Sequence, residues 1–179
     1  VVTIDIMQKS AFEALHQRAL IFNGMERAPF HLKYSLEGDL LSVTSIISQG
    51  YTDSKVLYAS GADMRNNTLL VVGNANSVEG LYFENAAKGA YFSVVDLVSK
   101  VATTSSVHSL LYGSDATLGF ILQDATFAPD SSSTDLFFFA ATLQNDEKNL
   151  YNVDSRLFLT DGKATFQVLN VGESGSNIV

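Results

Sequence analysis

The sequence has no cysteine and no tryptophan, and only 2 of its 179 residues are proline. Without cysteine, the chain forms no disulfide, binds no metal through a thiolate and has no cysteine nucleophile. Charged residues make up only 17% of the chain, whereas hydrophobic residues make up 46%. A low charge combined with this much apolar material argues against a chain that is disordered throughout.

Positive charge is scarce as well. Lys and Arg together number 11 against 19 Asp and Glu, which gives a formal net charge of −8. The basic residues are scattered singly, and a phosphate backbone or an anionic membrane surface needs a basic patch. No apolar stretch reaches the roughly 18 residues that span a bilayer. We therefore predict neither a nucleic-acid partner nor insertion into a membrane.

The length fits one domain with a sizeable core. We predict a single β-rich domain over 1–179, in which 1–24 form a strand and a helix and 172–179 form a flexible tail. The chain begins with Val1 and shows no signal-peptide pattern, so we expect it to be processed or excised from a longer protein.

Most of the chain has the pattern of β-strands. Apolar residues alternate over 1–6, and after Pro29 short apolar runs separated by turn residues recur at the spacing typical of a sandwich or barrel. The fold class predicted is mainly β, an antiparallel β-sandwich or jelly-roll-like barrel with one N-terminal α-helix. The predicted strands are 1–6, 30–36, 40–47, 55–59, 68–72, 79–84, 90–98, 107–112, 117–122, 136–143, 150–160 and 163–169.

The densest apolar run is 136–143, Leu-Phe-Phe-Phe-Ala-Ala-Thr-Leu. Neighbouring side chains of a strand point to opposite faces, so Phe137, Phe138 and Phe139 cannot all point toward one core. We therefore predict that this strand is central in the fold and covered on both faces, with Phe138 fully buried.

One helix is predicted near the N-terminus. Ser10 and Glu13 form a Ser-x-x-Glu capping pattern, and four apolar residues share one face, ending before Asn23-Gly24. The residues of this apolar stripe are Phe12, Leu15, Ala19 and Phe22. The favoured interpretation is that the stripe packs on a sheet of its own domain. The alternative is contact with a neighbouring subunit.

Motifs for catalysis are missing from the sequence. The three histidines, His16, His31 and His108, have no ligand-like spacing, and no nucleotide-binding loop or serine-hydrolase elbow occurs. Aspartates occur mainly in turn-like segments, where they usually bond to the local backbone. We therefore predict no catalytic residue, no cofactor and no metal site, and an enzymatic role is disfavoured.

A ligand surface is the remaining kind of site that the residues favour. Tyrosines near Asn and Asp can form a platform for a sugar, although most tyrosines at this periodicity are half-buried strand residues with a hydrated hydroxyl. The residues predicted to contact a ligand are Tyr58, Tyr82, Tyr112 and Asp115.

These observations favour a non-enzymatic structural or interaction subunit of a larger assembly, such as a virion, an appendage or a cell-surface structure. The predicted partners are protein subunits in a homo-oligomer, contacted by at least one of the terminal segments 1–7 and 172–179. Deletion of either segment is predicted to leave a folded domain that assembles poorly. The predicted location is extracellular or virion-associated, because of the low charge and the many Ser, Thr, Asn and Gly residues. Two alternatives remain open: a carbohydrate-binding module, and a domain of a glycan-active enzyme.

Overall fold

The computed structural model describes residues 1–75, 90–107, 119–129, 136–144, 153–161 and 166–170. Eleven strands and one short α-helix lie in these ranges, which confirms the mainly β fold class. The elements are β1 (Val2–Asp5), a 3-10 turn (Ile6–Gln8), α1 (Lys9–His16), β2 (Arg27–Tyr34), β3 (Leu40–Ser45), β4 (Leu57–Arg65), β5 (Thr68–Ala75), β6 (Tyr91–Asp96), β7 (Val101–Ser106), β8 (Gly119–Phe127), β9 (Phe137–Gln144), β10 (Val153–Thr160) and β11 (Phe166–Asn170).

The strands form three sheets in which all neighbours are antiparallel. Sheet I has the order β1-β2-β3, sheet II the order β4-β5-β6-β7, and sheet III the order β11-β10-β9-β8. Each sheet is a meander, because consecutive strands pair with each other. The predicted strand 79–84 lies outside the described residues.

Sheet II is the middle layer of the molecule. Successive residues of β5 alternate between two hydrophobic cores: Leu69 and Val71 join the core shared with sheet I, and Leu70 and Val72 join the core shared with sheet III. All four side chains are buried. The described strands are therefore stacked in sandwich-like layers, and they do not close into the jelly-roll-like barrel that was the alternative.

The prediction that 136–143 is a central strand covered on both faces holds only in part: β9 is an inner strand of sheet III, but its outer face is not fully buried at Phe138. In β9, Phe137 and Phe139 are each only 1% exposed, but Phe138 between them is half-buried. The alternation of side chains sends Phe137 and Phe139 into the core below sheet II and turns Phe138 the other way. The doubly covered strand is β5, because its sheet lies between the other two.

The helix is shorter than predicted. Gln17 adopts the left-handed conformation at φ 51°, and its amide donates to Glu13 O, so α1 ends at His16. Glu13 Oε1 accepts from Leu20 N instead of forming a capping box with Ser10. The capping box lies earlier, where Asp5 and Gln8 enclose the 3-10 turn.

Because α1 ends at His16, only part of the predicted apolar stripe lies on the helix. Phe12 packs against the first core, whereas Leu15 is 77% exposed. Phe22 is buried, but it lies beyond the helix, in the loop that leads to Asn23 and Gly24. Both Asn23 and Gly24 have positive φ, but the helix has already ended at His16, so they are not the helix stop that the sequence predicted. Among the described residues, none of the helical segments has the length and apolar character needed to cross a bilayer.

Candidate functional site

Strand β7 is the outer strand of sheet II, and its backbone alternates between β6 and the outside. The amide of Val107 donates to Ala90 O at 2.9 Å, in the same register as the β6–β7 pairing. Hydrogen-bonded pairs alternate along an antiparallel ladder. The odd-numbered residues of β7 therefore bond to β6, and the backbone groups of Ala102 and Thr104 point away from the sheet. In the described part of the chain, no backbone group bonds to these two residues from outside.

A groove follows this open edge, and we refer to it as the β7 groove. It consists of two adjoining cavities of about 460 and 370 Å³ that share Ser48 and Gln49. The larger cavity lies beside the start of β7, and the smaller one beside its end. The lining residues are Ile21, Asn23, 43–45, 47–53, 100–102 and 104–106.

The wall opposite β7 is built from the end of β3 and the loop that follows it. The amide of Ser48 donates to Thr104 Oγ1 at 2.9 Å, and the hydroxyl of buried Ser93 donates to Ile46 O. The Ser93 and Thr104 hydroxyls are 2.9 Å apart. A buried polar network of this kind fixes one arrangement of its members, so the loop is held beside β7.

Strand β3 is the outer strand of sheet I, and Asn23 lies beside its end. The side-chain amide of Asn23 donates to Ser45 Oγ at 3.3 Å and to Ile47 O at 2.6 Å. Asn23 is oriented for these bonds by its left-handed backbone, at φ 51°.

The two ends of the β7 groove carry opposite charges. Lys100 lines the larger cavity next to the start of β7, and Asp53 lines the smaller cavity next to its end. Ser106 lies six positions after Lys100, which corresponds to about 20 Å of extended strand. Within the described ranges, neither Lys100 nor Asp53 forms an ion pair. The groove is thus electrically polar along its length.

A buried tyrosine lies under the Asp53 end. Tyr51 is only 9% exposed, and its hydroxyl finds no hydrogen-bond partner. Burial, and then the negative charge of Asp53, raise the pKa of Tyr51 far above its ordinary value. The phenol therefore stays neutral, and the ring supports the loop from the core side.

Of the residues predicted to contact a ligand, Tyr58 lies away from this groove. Tyr58 lies on β4, where its hydroxyl bonds to the guanidinium of Arg27 and its ring lies 5.3 Å from Arg27 Cζ. Arg27 also pairs with Asp5 at 2.6 Å, so Tyr58 belongs to a cluster that links β1, β2 and β4. Tyr82, Tyr112 and Asp115 lie outside the described residues, and a ligand role for the four remains a prediction.

Sequence reasoning missed β7 itself. The pattern placed a strand at 107–112, but residues 108–112 lie outside the described residues, and the observed strand is Val101–Ser106. Its residues, Val-Ala-Thr-Thr-Ser-Ser, are mostly small and polar, so they resembled a loop. The available signal was the group of β-branched residues Val101, Thr103 and Thr104, which favour extended backbone.

The described residues offer little for catalysis or metal binding. In those ranges, no group of three or more His, Cys, Asp or Glu side chains is placed to hold a metal ion. His31 Nδ1 is buried without a hydrogen-bond partner, and His108 lies outside the described residues. The site that the fold does assemble is a groove beside an open strand. In comparisons with known proteins, the chain matches no family model, no curated protein and no solved structure.

Proposed function

We propose that this protein is a non-enzymatic interaction subunit that joins other subunits of its own kind in a larger assembly, through the open edge of β7. The observation that carries the proposal is the outward-pointing backbone of Ala102 and Thr104 beside the β7 groove. An unpaired strand edge is a template for a strand from another chain.

The sequence of β7 supports this proposal. Soluble proteins protect outer strands with charges, proline, bulges or a covering segment. Val101–Ser106 contains no charged residue and no proline, its pairing with β6 has no irregularity, and Val101 is 60% exposed. Charged residues, proline and bulges are therefore all absent from β7.

The outer strands on the opposite side of the molecule have a different environment. The carboxylate of Asp63 on β4 accepts from the amide of Phe127 on β8 and from Thr126 Oγ1, each at 2.9 Å. The guanidinium of Arg65 donates to Ala128 O at 2.8 Å. Strands β4 and β8 therefore cover each other, which leaves β7 as the open edge of sheet II in the part of the chain that the structure describes.

The proposed assembly belongs to the extracellular or virion-associated setting that the composition favours. A low charge and an absence of cysteine suit a subunit whose surface is largely covered by neighbours. The proposal requires no catalytic residue and no cofactor, because main-chain pairing and groove filling provide the binding free energy.

Sedimentation velocity tests the proposal. The wild-type chain should sediment as a species larger than its 19.4 kDa monomer, with a mass that rises with concentration. Thr103→Lys places a charge on the exposed edge and should return the protein to the monomer. Ala14→Lys adds the same charge on the exposed surface of α1 and should leave the assembly intact. A wild-type chain that remains monomeric over the whole concentration range would refute the proposal.

A further inference from the structure

We propose that the β7 groove binds an extended peptide segment of a partner protein, as an added strand antiparallel to β7, with a basic residue near Asp53 and an acidic residue near Lys100. The inference rests on the proposed function in that it uses the same edge, and it goes further by naming the chemistry and direction of the bound segment.

The backbone requirement comes from Ala102 and Thr104. Each residue directs one amide and one carbonyl out of the sheet. An extended segment beside β7 can pair with all of these groups, whereas a helix cannot, because its backbone groups already bond to one another within the helix. The groove runs alongside this edge, so the added strand lies in it.

The side-chain requirement comes from the walls. The larger cavity presents apolar groups of Ile21, Val43 and Val101, and Ile47 lies beneath them in the core. The smaller cavity presents hydroxyl and amide groups from Ser48, Gln49 and other residues. A segment of small or β-branched residues fits walls of this kind, because alternate side chains of a strand enter the groove.

The two charges and the direction of the segment together fix the order of its charged residues. Lys100 lies beside the start of β7 and Asp53 beside its end. An antiparallel segment begins at the Asp53 end, so its basic residue comes first and its acidic residue last. We choose the antiparallel direction because every strand pair inside the three sheets is antiparallel, and such pairs are slightly more stable than parallel ones.

The backbone at Lys100 is part of a well-defined turn. Lys100 has φ 60°, a left-handed residue at the turn before β7. Asp96 stabilises the same turn, because its carboxylate accepts from the amides of Val98 at 2.8 Å and Ser99 at 3.2 Å. These bonds lower the pKa of Asp96, which keeps the turn anchored at neutral pH.

Synthetic peptides test the inference with the full chain. The probe is acetyl-Lys-Thr-Val-Thr-Val-Thr-Glu-amide, titrated into isotopically labelled protein while backbone amide resonances are followed by NMR. We expect saturable shifts at Ala102, Thr104 and the loop 48–53. A probe with Gln in place of both charged residues should bind about 2- to 10-fold more weakly, the usual range for two exposed ion pairs.

Two controls separate strand pairing from non-specific contact. A probe that is N-methylated at the amides facing β7 keeps its side chains but loses hydrogen-bond donors, and it should lose binding at least about tenfold. Lys100→Gln and Asp53→Asn should each remove part of the advantage of the charged probe over the neutral one.

Several results would overturn the inference. They are equal binding of the N-methylated probe, shifts that map away from the groove, and binding of maltohexaose at these amides in place of the peptide. If no peptide binds but the chain still assembles and Thr103→Lys dissociates it, the inference fails and the proposed function stands. If a monomeric chain binds the probe, the proposed function fails and the inference stands.

Discussion

The side-chain amide of Asn74 bonds to both backbone groups of Leu122. Asn74 Oδ1 accepts from Leu122 N and Asn74 Nδ2 donates to Leu122 O, each at 2.9 Å, although the two residues lie on different sheets. The register of β8 shifts just after Leu122, so the amide of Asn74 acts as a substitute for a strand partner. Asn74 is 6% exposed, and this contact fixes sheet III on sheet II.

Asn74→Leu should therefore destabilise the protein strongly. It leaves the amide and carbonyl of Leu122 buried without partners, at a cost of about 1–3 kcal/mol for each group. Chemical denaturation should show a loss in the free energy of unfolding of about 2–5 kcal/mol. Asn74→Asp provides a graded control, because the protonated acid can again donate to Leu122 O. Its deficit relative to wild type should shrink as the pH falls below 5, and a deficit independent of pH would contradict this account.

Gly73 lies where β4 and β5 are closest. A Cβ atom at Gly73 would stand 1.8 Å from Tyr58 O and 2.8 Å from the ring of Tyr91. Since a backbone atom cannot move aside as a side chain does, Gly73→Ala should cost about 3 kcal/mol or more. Gly50→Ala is the matched control. No atom lies within 4 Å of a Cβ added at Gly50, but the backbone there has a φ of +86°. This substitution should therefore cost only about 1 kcal/mol. Thermal denaturation that ranks the two variants in the opposite order would refute this explanation.

The two faces of β9 predict a contrast between neighbouring phenylalanines. The ring of Phe139 stacks on Phe158 with centroids 4.8 Å apart, and both side chains are 1% exposed. Phe139→Ala should reduce the free energy of unfolding by about 3–5 kcal/mol. Phe138→Ala should cost clearly less, because this side chain is only half-buried. Equal losses in denaturant titrations would show that the outer face of β9 is covered as fully as the inner one.

The stability of the protein should depend on His31 between pH 7 and 5. Burial, and then the positive charges of the N-terminus and Lys33, lower the pKa of His31 from its ordinary 6.5. Below pH 6.5 the unfolded chain binds the proton more readily than the folded one, so the free energy of unfolding should fall and then level off below the folded-state pKa.

Thermal melts of His31→Gln should show a smaller decline over that range than the wild type. His16→Gln, on α1, removes a different histidine and serves as the control. Carboxylates with a lowered pKa, such as Asp63, affect the free energy of unfolding in a different pH range. Burial alone would raise the pKa of Asp63, but hydrogen bonds from Phe127, Thr126 and Met64 outweigh it. The stability that these carboxylates contribute to the folded state is lost only below about pH 4. A decline between pH 7 and 5 that survives His31→Gln would contradict the assignment.

The N-terminal segment makes contacts inside its own domain. Val2–Asp5 pairs with β2, Ile4 is 7% exposed in the first core, and Asp5 pairs with Arg27. Deletion of residues 1–7 should therefore lower the melting temperature markedly, whereas the sequence alone predicted that the truncated domain would stay folded. Deletion of 172–179 remains predicted to leave a folded domain that assembles poorly. An N-terminal truncation that melts like the wild type would show that β1 contributes little.

The sequence by itself determined the class of the fold and most of its strands. Strict alternation over 1–6, the apolar run at 136–143 and the turns between them require strands, because only extended backbone puts every second side chain on one face. The same composition argued against nucleic-acid binding, since no cluster of basic residues exists. These conclusions depend on local pattern alone, and the structure agrees with the predicted fold class.

Tertiary structure decided which strand is central and where the open edge lies. The sequence of β9 is more apolar than that of β5, yet β5 is buried on both faces, because its sheet happens to be covered by two others. The early end of α1 at His16 depends on the left-handed backbone of Gln17 and on the bond from Leu20 N to Glu13, neither of which periodicity reveals. The β7 groove arises only when the β3 loop docks through Ser48 on Thr104. Contacts between residues far apart in sequence depend on packing, and a local pattern contains no information about them.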